Sequence, residues 1–109
     1  MKVSLIHASY KSPDQSRAVR NYWLSMASGQ VAIEHCLGFE FDDEETRREY
    51  AIPNGVVNGK SADQFTNFIT TPVTSGVSAV ANWNAAASIS TGDLLLVIAD
   101  DLIPEKTGI

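Results

Sequence analysis

At 109 residues the chain is one domain, long enough to bury about two thirds of its unfolded surface and build a core without staples. Hydrophobic residues at 44% and charged residues at 19% are ordinary globular values, which exclude a disordered or fibrous class. The formal net charge of −5 excludes a nucleic-acid or anionic-membrane surface, because there is no basic patch to release counterions.

Lys2 to Ala8 predicts a first strand, with Val3, Leu5 and Ile6 as its apolar set. Ser12-Pro13-Asp14-Gln15 then gathers three helix-start signals: a capping hydroxyl, a proline at the first helical position and a capping-box partner. Ala18, Val19, Tyr22, Trp23 and Met26 follow at helical spacing, and Gly29 supplies the stop. Val31 to Leu37 predicts a second strand, reached by a right-handed parallel crossover. Glu40, Asp42, Asp43, Glu44 and Glu45 read as a solvated acidic loop, followed by a short helix whose Arg47 and Arg48 offset that charge. Ile52 to Lys60 is turn-rich and predicts no regular element. Phe65 to Thr70 predicts a third strand, Val77 to Ser90 a helix stopped by Gly92, and Leu94 to Ile98 a fourth strand.

That last strand has no polar alternation, which predicts cover on both faces and hence a parallel α/β sheet. Ligands of such sheets collect beyond the carboxyl ends of the strands. There stand Asp100 and Asp101, and paired carboxylates at such a place point to a hard cation holding phosphate groups. An acidic protein needs such a bridge to bind an anionic nucleotide. Successive side chains of an extended strand face opposite ways, so the two must sit past the strand in a turn, or divide the work between cation and ligand.

Other reactive residue types have structural readings. His7 and His35 fall inside strands and are expected as hydrogen-bonded structural histidines. Cys36 is a small core hydrophobe, and Trp23 and Trp83 belong to core-facing helix surfaces. A single cysteine allows no internal disulfide, and the apolar run before Tyr10 is too short for a signal peptide. With no run of transmembrane length, a cytoplasmic protein is expected.

The stretch from Gly76 to Asp101 resembles the helix, strand and metal-site segment of glycosyltransferase family 2, the nucleotide-sugar enzymes of the GT-A fold. Those enzymes typically show Gly-x-Ser-x-Ala-Arg-Asn, then Thr-Gly-Asp, an apolar strand and an Asp-x-Asp-type motif. Val3 to Lys11 is similar to the family's first strand and its Thr-x-Tyr-Asn-like end. The resemblance spans nearly the whole chain and is weakest over 39–65. It implies that Tyr10 sits against the nucleotide base, with Ala8 in place of the usual small hydroxyl residue. Asn82 matches the family's asparagine on the helix bordering the nucleotide, while Ala81 replaces a frequent arginine. Ala99-Asp100-Asp101 matches the metal motif in an x-Asp-Asp form, which implies Asp100 on the ribose and Asp101 on manganese (Mn2+) or magnesium (Mg2+) with the diphosphate.

The expectation is therefore a three-layer α/β/α, Rossmann-like nucleotide-binding half-domain spanning residues 1–109, with a mostly parallel sheet at about 2–8, 31–37, 66–70 and 94–98 in the order 3-2-1-4. The function implied is binding of a nucleotide sugar, UDP-sugar favoured, for glycosyl transfer. The alternatives are a non-catalytic nucleotide-binding or assembly module, and nucleotidyl transfer, for which a basic glycine-rich phosphate loop is missing. Only Leu102 to Ile109 follow the metal motif, so the acceptor half and its general base are expected to be absent and the chain alone to transfer no sugar. An unprotected apolar edge at Leu94 to Ile98 predicts a homodimer or higher assembly, through this strand or the helical surface beside it.

Overall fold

A computed structural model describes residues 1–25, 32–62, 65–72 and 79–100. The chain is mixed α/β: β1 (Lys2–Ala8), α1 (Pro13–Ser25), β2 (Ala32–Glu40), α2 (Glu44–Glu49), β3 (Asn58–Lys60), β4 (Thr66–Thr71), α3 (Ala79–Ser88) and β5 (Leu94–Ala99). The sheet runs β3-β4-β2-β1-β5; β4, β2, β1 and β5 are parallel and β3 is antiparallel. The expected four-strand order 3-2-1-4 is thereby corrected to five strands. Asn58-Gly59-Lys60 carries no apolar alternation and all three residues are exposed, so backbone pairing to β4, not side-chain burial, makes it a strand.

Alternation along β1 divides the core between the two faces of the sheet. Leu5 joins Val19 of α1 and Ile98 of β5, with Trp23, Leu24, Ile33 and Leu96 around them. Ile6 points the other way, to Cys36 and Ala86 of α3, with Trp83, Ala87 and Ile89. A third cluster joins Leu37 and Phe39 of β2 and Phe68 of β4 to Tyr50 and Ile52, just past α2. Each large apolar side chain so buried contributes about 1.5–3 kcal/mol. Trp23 and Trp83 therefore pack on the core as expected, and Trp83 also donates its indole N–H to the Ile98 carbonyl at 2.7 Å.

Several local expectations are corrected. β2 does not stop at Leu37 but runs on to Glu40, because Gly38 has no Cβ: one built there would strike the Asn82 carbonyl of α3. Gly92 is not the stop of α3, which ends at Ser88, and its φ is not left-handed. It is needed instead for close approach to β1, where a Cβ would lie 2.9 Å from the Ser4 amide nitrogen. β5 is not covered on both faces: Leu94, Leu95 and Val97 are half exposed. The helix α3 packs over β1, β2 and β4, which leaves the Leu95–Val97 face of the last strand bare. The acidic loop is only partly solvated, since Glu40 and Asp43 are buried and Asp43 caps α2. Arg47 is buried too, donating to the Phe41 and Pro53 carbonyls at 3.0 and 2.9 Å. The Ser12 hydroxyl donates to the Tyr10 carbonyl, while its own carbonyl accepts the Ser16 amide and so begins α1. Met26, Gly29, Val31, Val77 and Ser78 lie outside the described residues.

Candidate functional site

The sheet winds in one direction from β1 through α1 to β2 and β4, then returns through α3 to β5 on the other side of β1. The carboxyl ends of β1 and β5 therefore part around a crevice, the place where parallel α/β sheets hold ligands. A cavity of about 150 Å³ lies there, lined by Ala8, Ser9, Tyr10, Ala79, Asn82, Ala99 and Asp100. Five residues singled out from the sequence, Ala8, Tyr10, Asn82, Ala99 and Asp100, meet in it. Asp101, the expected cation ligand, lies outside the described residues.

Asp100 organises the crevice. Its Oδ1 accepts from the His7 Nε2–H at 2.8 Å, and its Oδ2 accepts from the Ser9 hydroxyl at 3.0 Å and the Tyr10 amide at 3.2 Å. The next amide, that of Lys11, donates to Asp43 Oδ2 at 2.8 Å. Two carboxylates thus grip successive amides of the β1–α1 loop. They hold Lys11 at φ 47°, a left-handed conformation that a non-glycine residue adopts only when its surroundings demand it. The Tyr10 ring is left at the surface with the Lys11 ammonium 5.2 Å from its centroid, and this neighbour raises the ammonium's pKa.

The remaining lining is small or committed. Ala8 and Ala99 are register partners on adjacent strands and floor the crevice with methyl groups. Asn82 is buried, and its amide oxygen accepts from the Thr71 hydroxyl at 2.6 Å, which ties α3 to the end of β4. A carboxylate offers about four acceptor positions, and three on Asp100 are taken, so about one remains for a donor in the crevice. Among the described residues no group of three or more His, Cys, Asp or Glu side chains converges as a metal centre. The described residues alone therefore do not make a cation site, and no step of the chemistry is routed through one.

The sequence reading of His7 and His35 as structural histidines missed their connection to the crevice. Both are fully buried, and their rings join at 2.9 Å between His7 Nδ1 and His35 Nε2; His35 Nδ1 meets the Thr66 hydroxyl at 2.8 Å. The signal available was two histidines inside apolar strands with an aspartate just past a third. Cys36 has no such link: burial first, then the neighbouring Glu34, pushes its thiol up to about 12, so it is no nucleophile.

A larger cavity, about 460 Å³, opens at the amino ends of the strands between Lys2, Glu34, Asn58, Lys60, Asn67 and Thr91. Glu34 there accepts from the Ser4 hydroxyl, the Thr91 amide and the Thr91 hydroxyl, and pairs with Lys2 at 3.4 Å. Burial raises its pKa, but these donors outweigh it and bring the carboxyl down to about 2. That carboxylate is spent on holding strands together, and size alone does not make the larger cavity the ligand site. No helix among the described residues is long and apolar enough to cross a membrane. Comparison of the chain with protein families, with curated proteins and with solved structures yields no match.

Proposed function

We propose that the chain binds a nucleotide sugar, a UDP-sugar in the first instance, at the β1–β5 crevice, as the donor-binding part of a glycosyltransferase of the family 2 kind. The observation that carries this reading is the reversal of winding between β1 and β5, with Asp100 fixed at the reversal and keeping a free acceptor position. A ribose hydroxyl is the donor that fits such a position, and the methyl floor of Ala8 and Ala99 lets a ring approach it. The exposed Tyr10 ring is available to stack on the base. Asp101 is the proposed ligand of Mn2+ or Mg2+, which would neutralise charge on the diphosphate.

Calorimetry with UDP tests the reading. Binding is expected with Mn2+ or Mg2+ and is expected to vanish with a chelator, and Asp101→Ala should abolish that cation dependence. Equal affinity with and without chelator removes the metal role, and no UDP binding under any condition removes the reading itself.

A second proposal, association of two copies through β5, rests on a separate observation. Among the described residues, the edge of β5 away from β1 pairs with no strand, and Leu94, Leu95 and Val97 are half exposed along it. A non-catalytic assembly module would use the same edge. Sedimentation equilibrium at micromolar concentration distinguishes a dimer from a monomer.

A further inference from the structure

The buried chain behind Asp100 has a direction, and that direction can be deduced. An ionised carboxylate only accepts hydrogen bonds. His7 must therefore donate from Nε2, 2.8 Å from Asp100 Oδ1, and a neutral His7 is left with a bare Nδ1. That Nδ1 is 2.9 Å from His35 Nε2, so His35 donates from Nε2 and in turn presents a bare Nδ1 to the Thr66 hydroxyl at 2.8 Å. Every proton points one way: Thr66 to His35, His35 to His7, His7 to Asp100. With one proton on His7, the opposite polarity would turn its lone pair to the carboxylate. A His7 protonated on both nitrogens would donate to His35 as well and reverse that ring, which the measurement below distinguishes.

We propose that His35 and Thr66 are positioning residues for the crevice: they lock His7 in its Nε2–H tautomer, and so fix the Asp100 carboxylate that a ligand hydroxyl meets. Neither residue lines the crevice, and both side chains are fully buried, so the chain acts only through Asp100. The surroundings favour it. The Tyr50 ring lies 6.0 Å from that of His35, between centroids, and the Tyr50 hydroxyl is paired with Ser16 at 2.8 Å and does not compete. Burial first, with the Arg20 and Arg17 charges nearby, holds His35 well below the ordinary imidazole range, which keeps its ring neutral with one nitrogen bare. A grip of this kind on a functional carboxylate is what second-layer hydrogen bonds supply elsewhere.

The proposal rests on the crevice being the ligand site, and two arms of its test separate the two ideas. In the full chain uniformly labelled with 15N, long-range proton–nitrogen correlation should find both rings protonated at Nε2 and bare at Nδ1. His35→Leu should remove the single-tautomer pattern of His7 and shift the Tyr10 amide resonance. The same variant should weaken UDP binding about tenfold, as for loss of one well-placed hydrogen bond. His35→Gln offers an amide N–H to His7 and a carbonyl to Thr66, and should return both the His7 tautomer and the affinity to near wild type. If His35→Leu does not fold, Thr66→Val removes only the hydroxyl: the His35 Nδ1 and Tyr10 amide resonances should shift, and Thr66→Ser should restore them. A wild-type His7 protonated at Nδ1 overturns the proposal. So does a His35→Leu or Thr66→Val variant whose Tyr10 amide is unmoved. Failure of the wild type to bind UDP refutes the ligand reading alone, because the tautomer and amide measurements use no ligand.

Discussion

Two buried or half-buried carboxylates tie β1 to the chain around β5, one at each end of the sheet, and they do different work. Glu34, at the amino end, takes the Ser4 hydroxyl, both Thr91 donors and Lys2. Asp100, at the carboxyl end, takes His7, Ser9 and the Tyr10 amide and still faces a cavity. The chemistry is the same, but the first carboxylate is saturated and the second keeps a position open. A fully satisfied carboxylate reports on stability, and one with spare capacity beside a cavity reports on binding.

The sharpest way to break this comparison is to remove Glu34. Glu34→Ala strands the Ser4 hydroxyl and Thr91 amide in a partly buried place and should cost about 3 kcal/mol of stability, read from urea midpoints. The acid limb gives a second measure. The folded-state pKa is about 2 against an ordinary 4.5, so the stability it contributes is fully present above the ordinary value and is lost as pH falls towards 2. Across that window the loss should reach roughly 2–3 kcal/mol, and Glu34→Gln should flatten the slope. UDP affinity per folded molecule should not follow it.

The two glycines that let these ends close should come next in size. Gly38→Ala drives a Cβ into the Asn82 backbone, which has no flexible side chain to yield, and Gly92→Ala drives one into Ser4. Each should cost about 1–3 kcal/mol in denaturant unfolding. Only Gly38→Ala, by displacing α3 at the crevice, should also weaken UDP binding.

Asp100→Asn should act mainly on binding. Its amide N–H2 must face donors, either His7 or the Ser9 and Tyr10 pair, so UDP affinity should fall about ten- to a hundredfold in calorimetry, as for loss of a charge-assisted hydrogen bond. The smallest effect on stability, within about 0.5 kcal/mol, should come from Val97→Lys on the bare face of β5. The same substitution should dissociate the proposed dimer in sedimentation equilibrium.

How much of this was legible in the sequence follows from what kind of force made each feature. The strands β1 and β2 announce themselves through apolar residues that burial selects, β4 through Phe68, Ile69 and its β-branched threonines, and β5 through its apolar run. The strand β3 does not, being held by backbone pairing at an edge where any polar tripeptide would serve. The run Leu94 to Ile98 looked like an interior strand because hydrophobicity records preference for burial, not whether a helix is present to cover it; α3 sits over its neighbours. Ala8, Tyr10, Asn82, Ala99 and Asp100 converge because strand ends and a crossover helix place them there. The link from His35 to Asp100 was invisible because register, not spacing, brings His7 beside residues 28 and 93 positions away.

The central claim is that the smaller crevice, not the larger amino-end cavity, is the ligand site. Amide chemical-shift mapping of the labelled chain during titration with UDP and Mg2+ tests it most directly. The largest shifts are expected at Ala8 to Lys11, Asn82, Ala99 and Asp100, with Lys2, Asn58, Lys60 and Thr91 unmoved. Shifts confined to Lys2, Asn58, Lys60 and Thr91, or none at either end, would contradict it.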